Sequence, residues 1–110
     1  MTLHIIVASE NGSKTNELVN QIIEKEANLQ YVSHREEVYW KDDSMLEMYY
    51  EINVKKAISE KEWIELFDRY LKHNDARRDD AFLEVDHYSK IGDRNDPFVI
   101  ASIPIESISD

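Results

Sequence analysis

The sequence predicts an α+β fold in two layers, a sheet with helices on one side. Three observations predict it. Met45 to Val54 alternates with a period of two: Leu46, Met48, Tyr50, Ile52 and Val54 share one face, and Met45, Glu47, Tyr49, Glu51 and Asn53 share the other. Two other stretches, one around Leu18 to Ile23 and one from Trp63 to Leu71, carry apolar residues at helical spacing instead. The segments follow one another as β-α-β-β-α-β-β. The first six match a βαββαβ, ferredoxin-like sandwich, to which the last adds a C-terminal strand.

Each element has its own local warrant. Leu3 to Ala8 is a nearly continuous apolar run rich in β-branched residues, as a central strand requires. Glu10-Asn11-Gly12 is a turn signal, and Ser13 is the expected N-cap of a helix from about Lys14 to about Asn28. Leu18, Val19, Ile22, Ile23 and Ala27 form its apolar stripe. Tyr31 to Trp40 reads as the second strand, with Val32, Val38 and Trp40 on the inward face and Tyr31, Arg35, Glu37 and Tyr39 outward. His34 and Glu36 then fall on the apolar face, which a bulge or an edge position would explain. The polar turn Lys41 to Ser44 joins this strand to Met45–Val54 as a hairpin.

Ser59, Glu60, Lys61 and Glu62 spell a capping box, with Ile58 and Trp63 placed as a hydrophobic staple. The helix it opens continues to about Lys72, and Trp63, Leu66, Phe67, Tyr70 and Leu71 make a core stripe. His73 to Asp80 reads as a charged connector. Ala81 to Tyr88 is a strand with Leu83 and Val85 inward and Glu84 and Asp86 outward. Ser89 to Pro97 is a loop, Phe98 to Ile103 is the last strand, and residues 105–110 are a loose tail.

The 110 residues suit one domain, 1–110, able to bury a modest core without staples. A hydrophobic fraction of 42% suffices for a globular protein, and the aromatic content of 10% argues against disorder. Acids outnumber bases 23 to 13, for a net charge of −10. Such a field disfavours nucleic acid and anionic membranes and speeds encounter with a basic partner. Solubility alone is the bland alternative. The absence of cysteine excludes disulfides, thiolate nucleophiles and zinc–thiolate sites. No basic leader precedes the first apolar run, and no apolar stretch approaches the roughly 20 residues that cross a bilayer. A cytoplasmic chain, complete from Met1, is the expectation.

Motifs for chemistry are weak. Ala8 to Thr15 echoes a phosphate loop between strand and helix, but Ala8 and Ser13 replace both required glycines and Glu10 adds repulsion. His4, His34, His73 and His87 lack the spacing of a zinc site; His73 and Asp75 fall in a loop that could cup a cation. No serine sits on a nucleophile elbow. Catalytic residues, metal and cofactor are therefore expected to be absent. An aromatic sheet face invites comparison with RNA-recognition domains, yet Glu37, Glu47 and Glu51 flank the rings with the wrong sign.

A protein-binding surface is the better reading of that face. Tyrosine offers contact area with a polar tip, and glutamates beside it suit a basic partner. The candidate partner-binding residues are Glu37, Tyr39, Glu47, Tyr49 and Glu51, extended by the acidic Asp79 and Asp80. Small size, acidity, lack of cysteine and absence of enzymatic motifs resemble the small acidic immunity proteins that bacteria make against their own secreted toxins. The resemblance implies a stoichiometric inhibitor, monomeric or homodimeric, that covers the active site of a basic nuclease toxin or a surface near it. It binds neither nucleic acid nor membrane itself. The alternative is a small homodimeric enzyme with a pocket on the sheet face built from His34 and Glu36.

Overall fold

The N-terminal apolar run forms β1 (Thr2–Ala8). In the computed structural model, which describes residues 1–78, 81–89 and 97–108, β1 lies inside the sheet. The chain continues through α1 (Gly12–Lys25), β2 (Leu29–Val38), β3 (Met45–Val54), α2 (Glu60–Tyr70), β4 (Leu71–Arg78), β5 (Phe82–Ser89) and β6 (Pro97–Pro104). The sheet is six-stranded in the order β2-β3-β1-β6-β5-β4, and neighbouring strands are antiparallel throughout. The fold is α+β.

Register decides which residues make the core. β3 pairs with β1 so that Met48 stands opposite Ile5, Tyr50 opposite Leu3 and Leu46 opposite Val7. Ile5, Val7, Met48, Tyr50 and Ile52 are buried with Leu18, Val19 and Ile23 of α1 and Trp63, Leu66 and Phe67 of α2. Leu83 of β5 and Ala101 and Ile103 of β6 complete this cluster. Both helices lie on this one sheet face: a narrow apolar gap of about 30 Å³ has Val19 and Ile23 on one side, Trp63 and Phe67 on another, and Ile5 and Ile52 beneath. Each buried Leu or Ile side chain contributes about 1.5–3 kcal/mol, so this shared face is the main source of stability.

The second helix begins where the capping box places it. The Ser59 hydroxyl accepts from the Glu62 amide at 3.2 Å, and the Glu62 carboxylate accepts from the Ser59 amide at 3.3 Å. Ile58 and Trp63, the staple pair, are both buried. The first helix departs from expectation at both ends. Ser13 is not its cap: Ser9–Asn11 makes a 3-10 turn that runs directly into Gly12. Thr15 donates its hydroxyl to the Asn11 carbonyl at 2.9 Å. A Cβ on Gly12 would meet Leu46 Cδ1 at 3.1 Å, so the small residue admits the helix close to β3. The C-terminus comes at Lys25, before Asn28, because Glu26 is extended and the Asn28 side chain bonds both the carbonyl and the amide of Lys56.

Three further expectations are corrected. His73 to Arg78 is not a connector but the greater part of β4, so α2 ends at Tyr70. A charged strand is tolerated there because β4 is a sheet edge. His73 and Asp75 accordingly lie on a strand, not in a loop. Residues 105–108 are not loose: Ile105–Ser107 forms a 3-10 turn, Ile108 bridges to Ile58, and Ile105 and Ile108 pack on the core. The inward side of β2 also differs. The strand covers Leu29–Val38, and a bulge between Tyr31 and Ser33 reverses the parity of the residues before it. Tyr31 therefore shares the helix side with Leu29, while Val32 and Val38 are exposed. Leu83 is inward as expected; the side chains of Glu84, Val85 and Asp86, residues 90–96 and residues 109–110 lie outside the described residues.

Candidate protein-binding surface

The face of the sheet away from the helices is built from the odd-numbered residues of β3 and the residues opposite them. Glu47, Tyr49 and Glu51 of β3 stand beside Glu37, Arg35 and Ser33 of β2 and beside Ile6, His4 and Thr2 of β1. Four of the predicted residues, Glu37, Glu47, Tyr49 and Glu51, thus come together. Tyr49 is the centre. The Arg35 guanidinium lies 3.9 Å over its ring, and the His4 imidazole stacks against it at 4.7 Å with an interplanar angle of 18°. Burial, and then a hydrogen bond with Glu47, push the Tyr49 phenol above its ordinary pKa.

Among the described residues, Glu37, Glu47 and Glu51 each have a basic group nearby. Glu37 pairs with Arg35. Glu47 Oε1 lies 3.3 Å from His4 Nε2, close enough for charge pairing but not aligned for a hydrogen bond. Glu51 accepts from the Thr2 hydroxyl and lies 4.0 Å from the amino group of Met1. The face is therefore aromatic, with Arg35 and the Met1 amino group beside its glutamates, rather than the bare negative patch that those glutamates suggest in the sequence. Ile6 and Ser102 are buried on it.

The hairpin that joins β2 to β3 adds what the sheet face lacks. Trp40 is 78% exposed, although its parity in the sequence assigns it to the core. The strand ends at Val38, so parity does not carry through to Trp40. The turn beneath it is well tied. Tyr39 donates to the Met45 carbonyl at 2.9 Å, Met45 to Asp42 at 3.0 Å and Ser9 to Ser44 at 2.9 Å. Asp42 accepts from the Ser44 hydroxyl at 2.6 Å and from its amide at 3.0 Å; these bonds hold its carboxyl below the usual pKa. Tyr39 is half-buried and meets Trp40 edge to face at 6.3 Å, and the Lys41 ammonium sits 5.0 Å from the indole. Asp42 and Asp43 are exposed beside it. The signal that could have found Trp40 is its place next to a Lys-Asp-Asp-Ser turn, where a strand's alternation ends.

The remaining expected residues are placed elsewhere. Asp79 and Asp80 lie outside the described residues, and the strands flanking them, β4 and β5, are across the sheet from β2. His34 and Glu36 lie on the helix side of β2, opposite Tyr50 and Met48. The His34 ring stacks on Tyr50 at 5.7 Å and shares a hydrogen bond with the Tyr31 hydroxyl at 2.5 Å. A Glu36 oxygen lies 3.9 Å from the Cβ position of Gly12, at the N-terminus of α1, where a carboxylate meets the positive end of the helix. Neither the apolar gap nor the cleft of about 240 Å³ around Glu26, Asn28, Ile58 and Arg69 includes either residue. Among the described residues no group of three or more His, Asp or Glu side chains could hold a metal ion, and no helix is long and apolar enough to cross a membrane.

No protein-family model, curated protein or solved structure matches the chain.

Proposed function

We propose that this protein is an acidic protein-binding inhibitor, an immunity protein that neutralises a basic nuclease-type toxin by covering its active site or a surface nearby. The observation that carries the reading is Trp40, 78% exposed on a tied hairpin with Tyr39, Asp42 and Asp43 around it. An exposed indole on a fixed support costs little entropy to bury, and the carboxylates beside it attract a basic surface. Tyr49 and its neighbours on the sheet face extend the contact. A ferredoxin-like core is the finer reading of the fold: β1, α1, β2, β3 and α2 keep that order, β6 takes the place beside β1, and β4 and β5 widen the sheet.

An enzyme with a His34–Glu36 pocket has less behind it, since His34 is stacked and Glu36 faces a helix end. The test is capture of the partner from the native cells with tagged protein, followed by assay of its nuclease activity. The expected result is a basic protein that loses activity on addition of one equivalent. Trp40→Ala should weaken that inhibition by about 2 kcal/mol or more, roughly thirtyfold. An unchanged affinity in this variant would remove the hairpin from the interface. A partner with no nuclease activity would overturn the toxin assignment.

A further inference from the structure

We propose that the protein forms a homodimer by pairing β2 with β2 of a second copy, antiparallel, with Glu36 on the two-fold axis. Among the described residues β2 is an edge strand, paired with β3 alone. Tyr39 gives its amide proton to Met45, and the register continues unbroken from Val38 opposite Leu46 to Ser33 opposite Glu51. Residues 33, 35 and 37 therefore turn their backbone groups toward β3. His34, Glu36 and Val38 turn theirs to the free side. Val32 and Val38, at the two ends of this stretch, are 60% and 61% exposed. It is a template for a further strand, and a second copy of β2 matches it.

The match comes from the charge sequence. With Glu36 on the axis, Arg35 stands opposite the partner's Glu37 and Glu37 opposite the partner's Arg35. These are non-hydrogen-bonded pairs, where side chains approach most closely. His34 stands opposite the partner's Val38, and the outward backbone groups of residues 34, 36 and 38 form the ladder. Pairing stops at the bulge between Tyr31 and Ser33 on one side and at the turn after Val38 on the other. The neighbouring register, with Arg35 on the axis, would set two guanidinium groups together at the closest approach. This register sets Glu36 against its own copy, its one like-charge contact, with each Glu36 carboxylate lying near the N-terminus of α1. Bulges and charges on an edge ordinarily prevent pairing. Here the charges have opposite signs two residues apart, so a two-fold operation complements them instead of repelling.

The dimer stands apart from the inhibitor reading, because its test contains no partner protein. Sedimentation equilibrium from about 10 µM to about 1 mM spans the affinities expected of a short edge pairing. The wild-type chain should be dimeric within that range. Arg35→Glu and Glu37→Arg should each weaken association at least about tenfold while keeping the native circular dichroism, and an equimolar mixture of the two should form a heterodimer of wild-type strength. Val38→Pro removes an outward amide without touching the bonds to β3 and should leave a folded monomer. Glu36→Gln should tighten the dimer. A wild-type chain monomeric throughout, or single charge variants that dimerise unchanged, would overturn the proposal. So would a mixture that fails to associate. Weaker association of Glu36→Gln would overturn the register, since that result needs Glu36 to face His34.

Discussion

Tyr50 shows how a single side chain joins the two layers. It is buried, stacks under His34, and donates its hydroxyl to Asn16 Oδ1 on α1. Burial pushes its phenol well above the ordinary value of 10.0, with Glu36 and Tyr31 adding to the effect. A raised folded-state pKa contributes stability in full below the unfolded value, and that contribution is lost as the pH rises above 10.0 toward the folded value. Tyr50→Phe removes the hydroxyl and should cost about 1 kcal/mol at neutral pH. The deficit should then narrow above pH 10, where the wild-type phenol becomes a liability and the variant has none. Urea melts of both proteins at neutral and alkaline pH check this, with the other tyrosines common to both. A deficit of constant size would show that burial does not hold the proton on Tyr50. The alternation of Met45 to Val54 made Tyr50 legible as an inward residue. Its bond to Asn16 was not legible, because no local pattern shows which helix residue lies above a strand. Trp40 and Tyr31 were misassigned for a related reason: parity is a property of a regular ladder, and a turn or a bulge resets it.

At the scale of elements, a helix end with reciprocal side-chain bonds is the most legible feature of this chain. Ser59→Ala removes the acceptor of the Glu62 amide and a donor to its carboxylate, and should cost about 1 kcal/mol. Thermal unfolding of the variant measures it, and no change in midpoint would mean that solvent replaces the cap without loss. Glu62→Gln keeps a side chain able to reach the Ser59 amide, so it should cost less. The first helix lacks such a signature. Its entry depends on Gly12 fitting against Leu46, a contact 34 residues away in the chain, and sequence spacing alone points to Ser13 instead. β4 was hidden for a different reason. Lys-His-Asn-Asp-Ala-Arg-Arg has neither apolar alternation nor β-branched residues, so its place in the sheet comes from pairing with β5, not from propensity. Arg78, at the end of that strand, lies 3.3 Å from Glu60 in the first turn of α2 and ties the edge to the helix.

Across the whole molecule the charge is −10, and on the sheet face Arg35 pairs with Glu37 and the Met1 amino group lies beside Glu51. Dispersed acids elsewhere on the surface, including Glu17, Glu24, Asp42 and Asp43, all exposed, contribute to the acidic field. This division separates the rate of binding from its strength. Long-range attraction from dispersed acids steers a basic partner and is screened beyond about 8–10 Å at moderate salt, whereas the contact around Trp40 acts only after docking. For the proposed complex, raising the salt from about 20 to about 500 mM should slow association by one to two orders of magnitude and change dissociation little. Trp40→Ala should do the reverse, quickening dissociation with association unchanged, because losses at a docked hot spot appear in the off-rate. Asp43→Asn at the hairpin should slow association modestly and only at low salt. Stopped-flow mixing across the salt series resolves the two effects. Association insensitive to salt would mean that the negative surface serves solubility alone, and a Trp40→Ala effect confined to association would mean that the indole guides encounter without being buried.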